Sequence, residues 1–98
     1  MTPNEQLEIT GNFRLPATTG IIMSGADRFI HNFGLENFFA GVNAGNLTMT
    51  GFGNVGVGEA ALSSNTTGFG NTDTGISALE GNTTGGENTA TGSLALQS

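Results

Sequence analysis

The stretches Asn71-Thr72-Asp73-Thr74 and Asn88-Thr89-Ala90-Thr91 repeat residue types with period two, the pattern of short β-strands, and glycine follows each of them. The segments Asn65-Thr66-Thr67-Gly68 and Asn82-Thr83-Thr84-Gly85 read as turns between such strands. A helical reading fails here. Gly, Thr and Asn dominate, and glycine alone costs about 1 kcal/mol at an interior helical site. Nearer the start, Leu7-Glu8-Ile9-Thr10 and Phe13-Arg14-Leu15 flank Gly11-Asn12 and stop at Pro16, which predicts a short strand or hairpin within residues 1–20.

A repeat keeps the later elements in phase. Asn37, Asn54, Asn71 and Asn88 lie 17 residues apart. Gly41, Gly58, Gly75 and Gly92 follow at a fixed offset, then Ala44, Ala61, Ala78 and Ala95. The next column holds Gly45, Leu62, Leu79 and Leu96, and a further one Gly51, Gly68 and Gly85. Units therefore span 37–53, 54–70, 71–87 and a partial 88–98. A degenerate earlier unit is expected over 21–36, where Gly25, Phe29, Asn32 and Gly34 fall near the columns if one residue is deleted.

Two strands of about five residues joined by two tight turns account for about 17 residues, and coils stacked at roughly 4.8 Å would place each strand beside its copy. The expected fold is all-β: a parallel β-solenoid of about four coils, roughly 20 Å tall, with an N-terminal extension. The columns then acquire roles. Gly41 and its equivalents are expected at a corner with positive φ or a close backbone approach. The alanines fit a crowded site, and the leucines fill the interior. The asparagines would bond one another up the stack, satisfying buried amides.

Composition narrows function. The formal charge is −6, with only Arg14 and Arg28 as cations, so phosphate recognition has no basic cluster and nucleic acid is not an expected partner. No cysteine is present to form disulfides or thiolate metal sites. No apolar run approaches the roughly 18 residues of a membrane-spanning helix, and no signal-peptide pattern opens the chain. A piece of a secreted protein, or a virion protein, is the expected source.

Candidate chemistry is thin. His31 has Ser24 and Asp27 near it in sequence, but no Gly-x-Ser-x-Gly elbow is present. Gly51-Phe52-Gly53-Asn54-Val55-Gly56 lacks the lysine of a phosphate loop, and Thr84-Gly85-Gly86-Glu87 lacks the recurring aspartate of a calcium coil. No catalytic, cofactor or metal residue is assigned, and no enzyme is expected. Asn46, Asn65 and Asn82 open Asn-x-Thr sequons that follow from the turn motif. Phe29, Phe33, Phe38 and Phe39, with Phe52 and Phe69, are expected as a buried plug or an intersubunit contact.

Asn54-Val55-Gly56-Val57-Gly58 and Asn88-Thr89-Ala90-Thr91-Gly92, followed by Ala-Leu and Asn-Thr-Thr-Gly, resemble the YadA-like heads of trimeric autotransporter adhesins and repeats of bacteriophage tail fibres. The resemblance covers residues 37–98, more weakly 21–36, and none of 1–20. It implies a left-handed parallel β-roll, a homotrimer, and an extracellular, cell-surface or virion location. The repeat here is longer and richer in Thr than in the adhesin heads. The expected function is a structural or adhesive fibre segment, with a phage tail-fibre shaft as the alternative. The last unit stops early, so residues 1–20 of another copy are a candidate to dock on the open coil. A different class, ice binding, follows from the rows Thr48/Thr50, Thr72/Thr74 and Thr89/Thr91. Val55/Val57 interrupt that row, and Asp73 is expected to sit within it.

Overall fold

Each asparagine of the repeated column is followed by a strand of only three residues. The computed structural model of the protein describes residues 8–16 and 20–97. Its strands are β1 (Ile21–Ser24), β2 (Asp27–His31), β3 (Phe38–Ala40), β4 (Val55–Val57), β5 (Thr72–Thr74) and β6 (Thr89–Thr91). They form a single six-stranded sheet in chain order, and no helix occurs among the described residues. The protein is all-β.

Strands β3 to β6 are parallel, paired Phe38 to Val55, Val55 to Thr72 and Thr72 to Thr89, so every step equals the sequence repeat. Alternation along each strand sends the middle residue inward. Phe39, Gly56, Asp73 and Ala90 are buried in this way, while Phe38, Val57, Thr72, Thr74, Thr89 and Thr91 are exposed.

The rest of each unit is turns rather than a second strand. Ala60, Leu62, Ser77, Leu79, Leu94 and Leu96 all have φ between 48° and 61°, and a left-handed residue at every second position breaks an extended segment. Such a conformation costs a non-glycine residue about 1–2 kcal/mol. Leu62 and Leu79 tolerate it because it turns their side chains into the core, and burying a leucine contributes about 1.5–3 kcal/mol. Burial exceeds strain.

The core is a thin column: Phe39, Ala44, Met49, Leu62, Ala78, Leu79 and Ala90. Sizes compensate between positions. Gly45 stands where later units have leucine, and a Cβ there would lie 2.6 Å from the Phe39 ring. Gly56 likewise faces that ring. One phenylalanine thus fills the space that a leucine fills in the next two coils. At the last unit Leu96 is 57% exposed, because nothing lies above it among the described residues.

Two glycine columns have different causes. Gly41, Gly58, Gly75 and Gly92 have φ of 131°, 132°, 137° and 120°, and a Cβ on Gly58 would lie 2.5 Å from the Gly75 oxygen. Gly51 and Gly68 have no positive φ; they are buried where the backbone of the next coil approaches.

Residues 21–36 differ from the expected degenerate coil. Here β1 and β2 form an antiparallel hairpin closed by Gly25-Ala26, and β2 pairs antiparallel with β3. The short Ser-Gly-Ala-Asp turn, with Gly25 at φ 62°, reverses the chain before a full coil is complete. The hairpin bears a register shift between Ile22 and Met23, an irregularity that blunts an edge strand. Residues 8–16 contain no strand; their part of the expected extension is irregular, since Gly11 and Pro16 interrupt any ladder. Its remainder, 1–7 and 17–19, lies outside the described residues.

The left-handed columns make a pair of opposite substitutions informative. Glu87 is exposed at φ 58°, where the preceding units have Gly53 and Gly70, so Glu87→Gly should raise stability by about 1 kcal/mol in urea unfolding followed by circular dichroism. Gly58→Ala should remove the folded baseline altogether, because its Cβ would meet main chain that cannot yield.

Candidate functional site

The repeated asparagines build the interior. Asn54 Oδ1 accepts from the Asn71 backbone N–H at 3.0 Å and from Asn71 Nδ2 at 3.1 Å. Asn54 Nδ2 donates to Asn37 Oδ1 at 3.2 Å and to the Gly68 oxygen at 2.9 Å. Its amide therefore has every donor and both lone pairs engaged. Asn71 repeats the arrangement with Asn88 and the Gly85 oxygen. The ladder starts at Asn37, whose Nδ2 donates to the Gly51 oxygen at 3.0 Å.

A second amide column runs beside the first. Asn65 Nδ2 donates to Gly68 O at 3.0 Å, Asn82 Nδ2 donates to Asn65 Oδ1 at 2.9 Å, and Asn82 also reaches Gly85 O. The Gly68 and Gly85 carbonyls thus each accept from two amides. Asn-Thr-Thr-Gly is a turn as expected from its composition, but its asparagine also bonds along the stack. The 17-residue spacing of Asn65 and Asn82 carried that signal. Asn65 is fully buried, which removes its sequon from reach in the folded chain.

The other expected site residues fall into place as follows. Ala44, Ala61 and Ala78 are fully buried, and Ala95 packs against the core from the last unit. Of the aromatic residues only Phe39 is buried and Phe33 partly so; Phe29 and Phe38 are exposed, and Phe52 and Phe69 stack on the surface with centroids 5.6 Å apart. The buried plug is one phenylalanine ring, not six, because of these side chains only Phe39 points fully into the thin core. Thr48 and Thr50 stand outside the strands, and Thr48 closes a turn through its N–H to Asn46 Oδ1 at 3.0 Å.

The outward face of the parallel strands carries Phe38 and Ala40, then Val55 and Val57, then Thr72 and Thr74, then Thr89 and Thr91. No titratable side chain interrupts it. Asp73, expected within this row, is turned the opposite way by strand alternation.

Asp73 is the anomaly of the core. It is 0% exposed, and neither carboxylate oxygen has a hydrogen-bond partner. Gly56 and Ala90 flank it in the neighbouring coils and offer no polar side chain. Burial pushes its carboxyl up from 3.8 to about 7, against an opposing contribution from its own backbone N–H. The buried group is held protonated over the acidic range.

His31 occupies the other end. Its Nδ1 accepts the Phe33 backbone N–H at 3.2 Å, which leaves Nε2 as the donor to the Ala44 oxygen at 2.9 Å. Its ring meets Phe39 at 5.1 Å. Burial lowers its pKa from 6.5, with the Ala44 bond raising it and Arg28 lowering it further. Ser24 pairs with Asp27 at the hairpin tip while His31 pairs with Ile21 at its base, so no Ser-His-Asp arrangement forms. Arg28 Nη2 donates to the Gly45 oxygen at 3.3 Å. A cleft of about 520 Å³ lies between this hairpin and residues 12–16, lined by Arg14, Phe13, Ile22, Ile30 and Phe38 among others.

Among the described residues no three His, Cys, Asp or Glu side chains gather as a metal site. No helix there is long and apolar enough to cross a membrane. Comparison with known proteins found no matching family model, no matching curated protein and no matching solved structure.

Asp73 and His31 give stability opposite pH dependences. The folded pKa of Asp73 is raised, so its contribution is complete below 3.8 and is lost as pH rises through about 7, an effect on the order of a few kcal/mol. The folded pKa of His31 is lowered, so its contribution is complete above 6.5 and is lost as pH falls through the lowered value. Asp73→Ala, which copies Ala90, should therefore stabilise the chain at pH 8 and lose that advantage near pH 4, as read by urea midpoints. In the ladder, Asn54→Ala should cost at least about 3 kcal/mol at any pH, since the Asn71 N–H, the Asn71 amide and Gly68 O each lose a partner.

Proposed function

We propose that this chain is a non-enzymatic structural segment of an extracellular fibre, a parallel β-solenoid whose coils set length and stiffness. The observation that carries the reading is the in-register step of 17 residues, made by backbone and asparagine bonds together. Each coil presents to the next the same groups it receives. Length can then change by whole coils without new contacts. Continuous ladders resist shear, a mechanical role that needs no convergent ionisable groups.

In this reading the coil is a left-handed β-roll, as the adhesin-head resemblance implies, and three chains associate. Exposed apolar side chains support association: Leu35, Phe52 and Phe69 stand at successive 17-residue steps and Phe38 and Val57 on the strand face. End-to-end pairing through residues 1–20 and the last coil is a further mode. Cell surface and virion are both suitable locations for such a segment.

A second reading, ice binding, is favoured by the charge-free face with Thr72, Thr74, Thr89 and Thr91 exposed and Asp73 turned away. Valine shares the γ-methyl shape of threonine, so Val55 and Val57 extend the surface without its hydroxyls.

Light scattering separates the modes of association. A mass near three times 9.9 kDa supports the closed trimer, filaments support end-to-end pairing, and a stable monomer at high concentration removes the fibre-trimer reading. Thermal hysteresis abolished by Thr74→Glu would move the assignment to ice binding.

A further inference from the structure

In the stacked units, each coil satisfies the one after it. Gly58, Gly75 and Gly92 donate their N–H groups to the oxygens of Ala40, Val57 and Thr74 in the preceding coil. Ala61, Ala78 and Ala95 oxygens accept from Gly45, Leu62 and Leu79 in the preceding coil. The first coil has no such neighbour, yet its groups are partnered. Gly41 N–H donates to the Phe29 oxygen at 2.7 Å, and Gly53 N–H to the Leu35 oxygen at 3.1 Å. The Ala44 oxygen, which elsewhere would receive a backbone N–H, receives His31 Nε2 instead. Arg28 takes the adjacent Gly45 oxygen. Residues 28–36 thus imitate the surface of a coil with a mixture of main-chain and side-chain groups.

We propose that residues 21–36 are an acid-releasable end cap on the coil stack, with His31 as its latch. The latch works only as the neutral Nε2–H tautomer, because Nδ1 must accept from Phe33 N–H while Nε2 donates to Ala44 O. A proton taken up at Nδ1 makes both ring nitrogens donors. Nδ1–H then faces Phe33 N–H with no acceptor between them, and a buried cation stands close to Arg28.

Nothing nearby compensates that charge. From β2 the charged neighbours are Arg28 and, at the exposed tip, Asp27, which pairs with Ser24. Phe39 of β3 and the Ala44-Gly45 turn offer no titratable group. Across the cleft that His31 also lines stands Arg14, a further positive charge. Glu36, at the end of the cap, is exposed. Acid therefore loosens the hairpin from β3 and bares the backbone edge of the first coil, a surface suited to pairing with another strand.

The test is amide hydrogen exchange by NMR on the wild-type chain, corrected for intrinsic rates, from pH 7 to pH 4.5. The cap amides of Phe33 and Gly41 should lose about tenfold of their protection for each unit that pH falls between 6.5 and the lowered folded His31 pKa, and level off below it. The amides of Gly75 and Asn88, in the last two units near Asp73, should hold or gain protection over the same range. Loss at the cap without loss at Gly75 and Asn88 supports the cap; parallel loss at both overturns it. His31→Asn, which keeps a neutral acceptor, should flatten the pH dependence at Phe33 and Gly41. If that variant folds and keeps the acid-induced loss, His31 is not the latch.

Discussion

The asparagine amide that bonds forward to the next coil is the interaction on which the structure rests. Asn54 Oδ1 receives both the backbone N–H and the side-chain amide of Asn71, so one side chain fixes the height and the register of the following coil. A buried amide is costly unless satisfied, and here it is satisfied only when the repeat is in phase. A slip by one residue would leave two donors and two lone pairs unpaired in every coil. Polar satisfaction, more than the small apolar core, selects the register.

That constraint explains why the core can be thin. Each layer holds few large apolar side chains: Phe39 and Met49 in the first unit, Leu62 and Leu79 in the next two. Turns built on left-handed leucines are strained, and at Leu62 and Leu79 burial of the side chain offsets the strain. The two glycine columns serve the same geometry from the backbone side, one by conformation and closeness together and one by closeness alone. Asp73 stands outside this economy of pairing. Its neighbours Gly56 and Ala90 leave it in an apolar layer, and the fold accepts it as a neutral acid over the acidic range.

The two ends of the parallel stack are chemically unlike. At the first coil, β2, Arg28 and His31 supply the partners that a preceding coil would supply. At the last described coil, Leu94 and Leu96 are exposed and β6 has a strand on one side only. A stack with one closed end has a direction.

The repeat, the strand positions after each asparagine, the asparagine ladder and the corner glycines are legible in the spacing of residues along the chain. Those features recur every 17 residues, and a bond between successive copies is written in the spacing. Features that depend on a third dimension or on a non-repeating neighbour emerge only in the packed fold. The second strand of each unit became a run of left-handed turns, because leucine propensity yields to burial. Asp73 moved from the threonine face to the core, because strand alternation assigns faces only once the strand's ends are known. Residues 21–36 became a hairpin rather than a coil, and His31 a partner for Ala44. No periodicity announces such a contact, since a cap meets the repeat at one place only and leaves no second copy to compare.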